Sequence, residues 1–152
     1  MNTATTHTAT RDRRAALVAQ ACRLIETSEA APTLDELAAQ AGMSPFHFHR
    51  VFKAETGLTP KAYATAHRAR KLREELNAAD GTVTDAIYEA GFNSSSRFYE
   101  TSEKVLGMRA REYRAGGVGA EIRFAVGQSS LGAILVAQSR RGICAILLGQ
   151  DP

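Results

Sequence analysis

Residues 41–63 of this 152-residue chain return, in order, about fifty positions later. Ala41-Gly42 matches Ala90-Gly91 at an offset of 49, while Phe48, Gly57 and Tyr63 match Phe98, Gly107 and Tyr113 at an offset of 50. One residue is therefore inserted in the second copy. Single matches are common by chance. An ordered set holding a turn glycine, the aromatic of the next segment, a terminating glycine and a following tyrosine is a duplicated unit. Whatever the chain folds into must contain that unit twice.

Start signals, apolar period and breakers define the unit. A first helix is expected over residues 11–28, with Leu17, Val18, Ala21, Leu24 and Ile25 on one stripe. Thr33 opens a second helix with the capping box Thr33-x-x-Glu36; Leu34, Leu37, Ala38 and Ala41 form its apolar side and Gly42 stops it. Ser44 caps a third helix whose first turn holds Pro45, where the missing N–H costs nothing. Helix, short glycine turn, helix is the helix-turn-helix pattern. A longer helix follows from about Pro60 to Asn77, with Leu58, Ala62, Ala69, Leu72 and Leu76 on a buried stripe and Lys61, Arg68 and Lys71 on another face; Asp80-Gly81 ends it. In the second copy Thr82 precedes a short helix, Gly91 breaks it, Asn93 caps the next and Gly107 breaks that.

The charge distribution suits this motif. A net charge of +3 is too small to point at nucleic acid, but residues 44–73 hold seven basic side chains (Arg50, Lys53, Lys61, Arg68, Arg70, Lys71, Arg73) against Glu55 alone. That stripe is a candidate phosphate-binding surface, its plain alternative being a solvated helix face. In a helix-turn-helix the second helix enters the major groove and its N-terminal side chains meet base edges. The first copy offers Pro45, Phe46, His47, His49 and Arg50 there, with Phe48, Val51 and Phe52 assigned to the core. Arg50 can fork onto guanine, His49 can reach a base edge or phosphate, and the Phe46 ring can pack on a thymine methyl. The second copy presents Asn93, Ser94, Ser95, Ser96, Arg97, Tyr99 and Glu100, with Arg97 its one strong donor, so weaker and more adaptable base reading is expected there. Lys61, Arg68 and Lys71 on the joining helix would meet backbone phosphates. Eighteen residues give that helix ~27 Å, which suits successive major-groove openings ~34 Å apart. The expected partner is double-stranded DNA, read over two consecutive major-groove segments by a monomer.

Other classes are disfavoured. Hydrophobic residues at 44% and charged residues at 23% fit a soluble globular protein, and no apolar run approaches the ~20 residues of a spanning helix. Residues 1–10 lack the charged start and apolar core of a signal peptide, so a cytoplasmic location and no membrane partner are expected. Cys22 and Cys144 sit in apolar patterns 122 residues apart, as buried unpaired thiols would. His47 and His49 are two apart, about 200° on a helix, so neither a zinc site nor any other cofactor is expected. A helical protein-interaction module is the competing class, distinguished by whether duplex DNA binds at all.

Beyond Arg114 the character changes. Residues 116–120 read as a flexible linker. Ile122, Phe124 and Val126 then alternate as in a half-buried strand, residues 127–130 read as a turn, and residues 131–137 and 142–148 as two more strands. The fold class is thus mainly α, two helix-turn-helix units joined by a linker helix, followed by a short three-stranded β-meander. Three strands without a covering layer make a poor domain. The tail is therefore expected to be mobile or to self-associate, and its deletion after Gly117 to leave DNA binding nearly unchanged.

The stretches LDELAAQAGMSPFHFHRVFKAETGLTPKAY and VTDAIYEAGFNSSSRFYETSEKVLGMRAREY resemble the DNA-binding domain of the AraC/XylS regulators, two helix-turn-helix units joined by a linker helix. The resemblance implies a transcription activator whose domain spans residues 11–115, with RNA polymerase as a second partner. MSPFHFHRVFKAETGLTPKAY, RARKLREEL and the tail IRFAVGQSSLGAILVAQSRRGICAILLGQDP are similar to the adaptive-response regulators fused to a methylguanine-DNA methyltransferase. By that likeness residues 121–152 are the incomplete opening of the methyltransferase's ribonuclease-H-like part. The family's methyl-accepting Pro-Cys-His-Arg motif is not in this sequence and Cys144 does not match it, so no catalytic residue is assigned; repair activity would belong to a longer parent chain. At positions 109 and 110 Arg-Ala replaces the usual Thr-Pro, which predicts a less well capped last helix.

Overall fold

The computed structural model describes residues 3–78, 81–92 and 95–149. Among the described residues seven helices come first: α1 (Thr3–Thr27), α2 (Leu34–Gln40), α3 (Pro45–Thr56), α4 (Pro60–Asn77), α5 (Val83–Glu89), α6 (Ser95–Leu106) and α7 (Ala110–Arg114). Strands β1 (Arg123–Ser129), β2 (Gly132–Ser139) and β3 (Gly142–Gly149) follow. The chain forms two compact units, residues 1–68 and 69–152, which divide within α4. Among the described residues no helix is long and apolar enough to cross a membrane.

In the first unit, Thr33 and Glu36 close the expected capping box: the Glu36 N–H donates to Thr33 Oγ1 at 3.3 Å and the Thr33 N–H to Glu36 Oε2 at 2.7 Å. These hydrogen bonds hold the Glu36 carboxyl below its ordinary pKa. After Gly42, at φ +65°, the chain reverses into α3. Val18, Ala21 and Ile25 of α1, Leu37 and Ala38 of α2, Phe48, Val51 and Phe52 of α3 and Ala64 of α4 form one buried cluster. The Phe52 ring lies 5.7 Å from both Phe48 and Tyr63, edge-on to the latter. Tyr63 Oη donates to Glu26 Oε1 at 2.6 Å, which ties α4 to α1 and raises the phenol pKa.

The second unit repeats this architecture with other residues. Ala69, Leu72 and Leu76 of α4 replace Val18, Ala21 and Ile25 of α1, at the same spacings of three and four, and all six are buried. The Thr82–Asp85 box replaces Thr33–Glu36, with the Thr82 N–H 2.7 Å from Asp85 Oδ2, and likewise lowers the carboxyl pKa. Ile87 and Phe98 fill the core, where Phe92 meets Phe98 edge-on at 5.3 Å.

The sheet is an antiparallel meander in the order β1-β2-β3, with Val126 opposite Leu135 and Leu135 opposite Leu147. A bulge at Ala137/Gln138 interrupts the second pairing. Met108, Ala137 and Cys144 make a third small core with Tyr113, Leu135 and Ala145 around it.

Six local expectations need correction, two of them in burial: Leu58 and Ala62, expected on a buried stripe, are exposed, and β1, expected to be half-buried, is exposed at every position. Helix α1 begins at Thr3, not near residue 11, because a helix started on a packed stripe can propagate through the Thr- and Ala-rich start without an apolar face of its own. Residues 127–129 belong to β1, and the turn is Ser130-Leu131, because Gly127 keeps an ordinary strand backbone while Gly132 takes φ +110°. The 116–120 segment is a hydrogen-bonded turn, with the Gly117 N–H donating to Glu112 O at 2.8 Å and the Ala120 N–H to Gly117 O at 2.9 Å. Cys22 is only half-buried, though burial still raises its thiol pKa; Cys144 is fully buried and both are free. Asn93, proposed as a cap, and Asp80 lie outside the described residues. For α7 the expectation is met in part: an Arg109 side chain cannot accept a hydrogen bond, but Glu112 Oε2 accepts from the Arg109 N–H at 3.0 Å.

Candidate nucleic-acid interface

Helix α3 sorts its residues as a groove-reading helix must. Ser44 caps it, accepting from the His47 N–H at 3.4 Å, and Pro45 occupies the first turn. Phe48, Val51 and Phe52 anchor it inward, which turns Pro45, Phe46, His47 and Arg50 to solvent; His49 is half-buried. Phe46 is 74% exposed, so its ring is free to meet a ligand surface. The Arg50 guanidinium carbon sits 5.9 Å from the Phe46 ring centre. One turn of helix thus places a hydrogen-bonding fork against an apolar ring, and the contact restricts both before any ligand arrives.

Among the described residues the basic stripe divides into charges with and without a partner inside the protein. Lys53 and Lys61 are exposed and Lys71 half-buried, and none of them is in an ion pair among the described residues. Arg68 is half-buried, its Nε donating to Ala64 O at 3.4 Å, and Arg70 pairs with Glu74 at 3.7 Å. Arg73 does something else: its guanidinium donates to the Val105 carbonyl in the last turn of α6. Arg73 therefore supports the second unit from inside rather than offering charge outward. No local signal shows this, since the partner carbonyl lies 32 residues away.

For the second copy, Ser94 lies outside the described residues, and Ser95, Ser96, Arg97 and Tyr99 are placed only by their positions in the first turns of α6, their side chains lying outside the described set. Phe98 and Leu106, both fully buried, anchor that helix as Phe48 anchors α3. Among the described residues no group of His, Cys, Asp and Glu could hold a metal ion.

A helix-turn-helix domain family matches residues 37–116. The bifunctional transcriptional activator/DNA repair enzyme Ada of Escherichia coli is 52% identical over 134 residues, which is 88% of this chain and 37% of that protein. The chain thus spans well under half the length of that relative. Among solved structures, a Chromobacterium violaceum transcriptional regulator with an AraC-type DNA-binding domain superposes with a TM-score of 0.59 at 25% identity, over 68% of this chain and 93% of that one. The DNA-binding domain of the global transcriptional factor AdpA, solved in complex with a target DNA, superposes with a TM-score of 0.56 at 27% identity, over 68% and 90%. With two capped helix-turn-helix units in sequence and fold, the chain belongs to the helix-turn-helix domain family, in its AraC-type form.

Proposed function

We propose that this chain is a sequence-specific, double-stranded-DNA-binding transcription regulator that activates genes of the alkylation-damage response. The observation that carries the DNA reading is α3, whose solvent side holds Phe46, His47 and Arg50 beside unpaired Lys53. Arg50 reads guanine, Phe46 packs on a thymine methyl, and His47 and His49 reach base edge or phosphate beside Pro45. Lys61, Arg68 and Lys71 contact the phosphates between the two grooves. Ser94, Ser95, Ser96, Arg97 and Tyr99 read the second groove more loosely. The two α-helical readers act as one monomer on consecutive major-groove segments, with RNA polymerase the partner that activation requires.

The alkylation-response assignment rests on the likeness to Ada. That likeness spans 134 residues, more than the 115 that precede the linker, so it runs into the sheet as well as the DNA-binding units. Residues 121–152 are by this reading the opening strands of a methyltransferase's ribonuclease-H-like part. The repair chemistry itself is not assigned to these residues: the Cys144 thiol sits in the core with Met108 and Ala137, and no methyl-accepting motif surrounds it. A gel shift on methylation-response promoter DNA, with a scrambled duplex as control, tests the proposal. Preferential retardation of the promoter is expected, and equal or absent retardation of both would refute it.

A further inference from the structure

The turn between β2 and β3 is seated on the C-terminal end of α6, and the fit is specific. The two hairpin turns of the sheet are built alike: the Leu131 N–H donates to Ser129 Oγ at 3.2 Å, and the Arg141 N–H to Ser139 Oγ at 2.9 Å. Their hydroxyl hydrogens go to different places. Ser129 donates within its own hairpin, to Gly132 O at 2.8 Å, whereas Ser139 donates out of the sheet to the Gly107 carbonyl just past α6. The Arg141 guanidinium pairs with Glu103, one turn back on the same helix. Gly107 has no Cβ where one would strike the Ile143 carbonyl group and come within 2.7 Å of the Cys144 nitrogen, and a side chain on Gly142 would come within 3.6 Å of the Gly107 Cα. Near the same helix end, Arg73 donates to the Val105 carbonyl.

We infer that Ser139, Arg141, Gly142 and Gly107 form a brace that positions α6 for DNA, so the sheet is a working part of the second DNA-reading unit. The inference rests on the proposed DNA-binding function and adds a role for the sheet. The lever is geometric. A 12-residue helix is ~18 Å long, so a tilt of ~10° about its braced end moves the groove-facing end by ~3 Å. Hydrogen bonds to base edges tolerate a small fraction of that. Among the described residues the first unit has no such brace, since a side chain on Gly57 would meet nothing within 4 Å.

The test uses the full chain and a duplex that the wild-type protein selects from random-sequence DNA. Hydroxyl-radical footprinting should show two adjacent protected segments for wild type. Arg141→Glu, which sets two carboxylates together, should lose protection of one segment while the other persists, with overall affinity down about tenfold or more because that segment's base contacts are lost. The exchanged pair Glu103→Arg with Arg141→Glu should regain both segments, which a generally destabilised protein would not do. Amide exchange should quicken in α6 and stay unchanged in α3. Arg141→Glu and Gly107→Ala proteins that protect both segments at wild-type affinity would overturn the brace alone. A wild-type chain that protects no duplex would overturn the DNA-binding function, and the brace with it.

Discussion

Gly57 and Gly107 occupy the same place in the two repeats, each ending a 12-residue helix in the left-handed conformation, at φ +77° and +66°. Around Gly57 a side chain would meet open space; around Gly107 it would meet the backbone of β3. The local code is duplicated, but its surroundings have diverged. In the first unit the recognition helix is held by an aromatic cluster, Phe48, Phe52 and Tyr63, backed by α1. In the second, Ser102 stands at the position of Phe52, and the end of α6 is held by Arg73 and the β2–β3 turn instead. A helix-turn-helix needs its second helix fixed, and packing or polar bracing can each supply that.

The largest expected effect separates these two modes. Phe52→Ala should cost about 3–5 kcal/mol of the first unit's stability by opening a cavity in a closed aromatic core, whereas Ser102→Ala, which removes a single buried hydroxyl, should cost about 1 kcal/mol. Denaturant unfolding followed by amide exchange in α3 and α6 measures both, and equal losses would erase the distinction.

Next come the glycines. Gly57→Ala should cost about 1–2 kcal/mol, the strain of a left-handed alanine. Gly107→Ala carries the same strain and a further loss of about 1–3 kcal/mol from crowding against β3. The same unfolding measurement decides, and matching costs would mean that the sheet gives way freely.

On the DNA side the asymmetry runs the other way. Arg50→Ala should weaken specific binding by about 1–3 kcal/mol through loss of a bidentate guanine contact, and Arg97→Ala by less. Lys71→Ala should weaken specific and scrambled duplexes alike and lower the salt slope by roughly one. Titrations at several salt concentrations separate the two classes, and a sequence-dependent loss for Lys71→Ala would remove it from the backbone contacts.

The smallest effect tests what the repeats share. The Glu36 and Asp85 carboxyls have folded pKa values lowered by the capping hydrogen bonds. A lowered value means that the stabilisation is complete above the unfolded pKa, about 4, and is lost as pH falls through the still lower folded value. Glu36→Gln and Asp85→Asn should flatten the acid limb of helix loss, each in its own unit, followed by amide exchange from pH 6 downward. Unchanged acid limbs would mean that the boxes do not hold these helices.

What was legible in the sequence is what a few neighbouring residues decide. Thr33 with Glu36, Ser44 with Pro45 and the glycines at 42, 57, 91 and 107 mark starts and stops within one turn, and the structure has them there. The inward set Phe48, Val51 and Phe52 followed from period alone, and so left Phe46 and Arg50 outside. Hidden were the contacts that join distant segments. Arg73 reads in the sequence as one of a basic stripe, and its partner is the distant Val105 carbonyl; Ser139 lies between two expected strands, and its partner is the equally distant Gly107 carbonyl. The tail looked dispensable because its strands lacked a visible cover. Phe124 and Val126 are indeed largely exposed, yet Ala137 and Cys144 are packed against Met108. Deletion after Gly117 should therefore disturb α6 and weaken DNA binding, against the expectation from the sequence alone.

The most direct test of the central claim, that two joined helix-turn-helix units of one monomer read successive major grooves, is a spacing experiment. Affinity is measured for a selected duplex and for the same duplex with ~5 base pairs inserted between its two protected segments, which rotates one of them to the far face of the helix. The account predicts that the insertion weakens binding about tenfold or more, since one segment's base contacts are lost. Binding that ignores the insertion would contradict it.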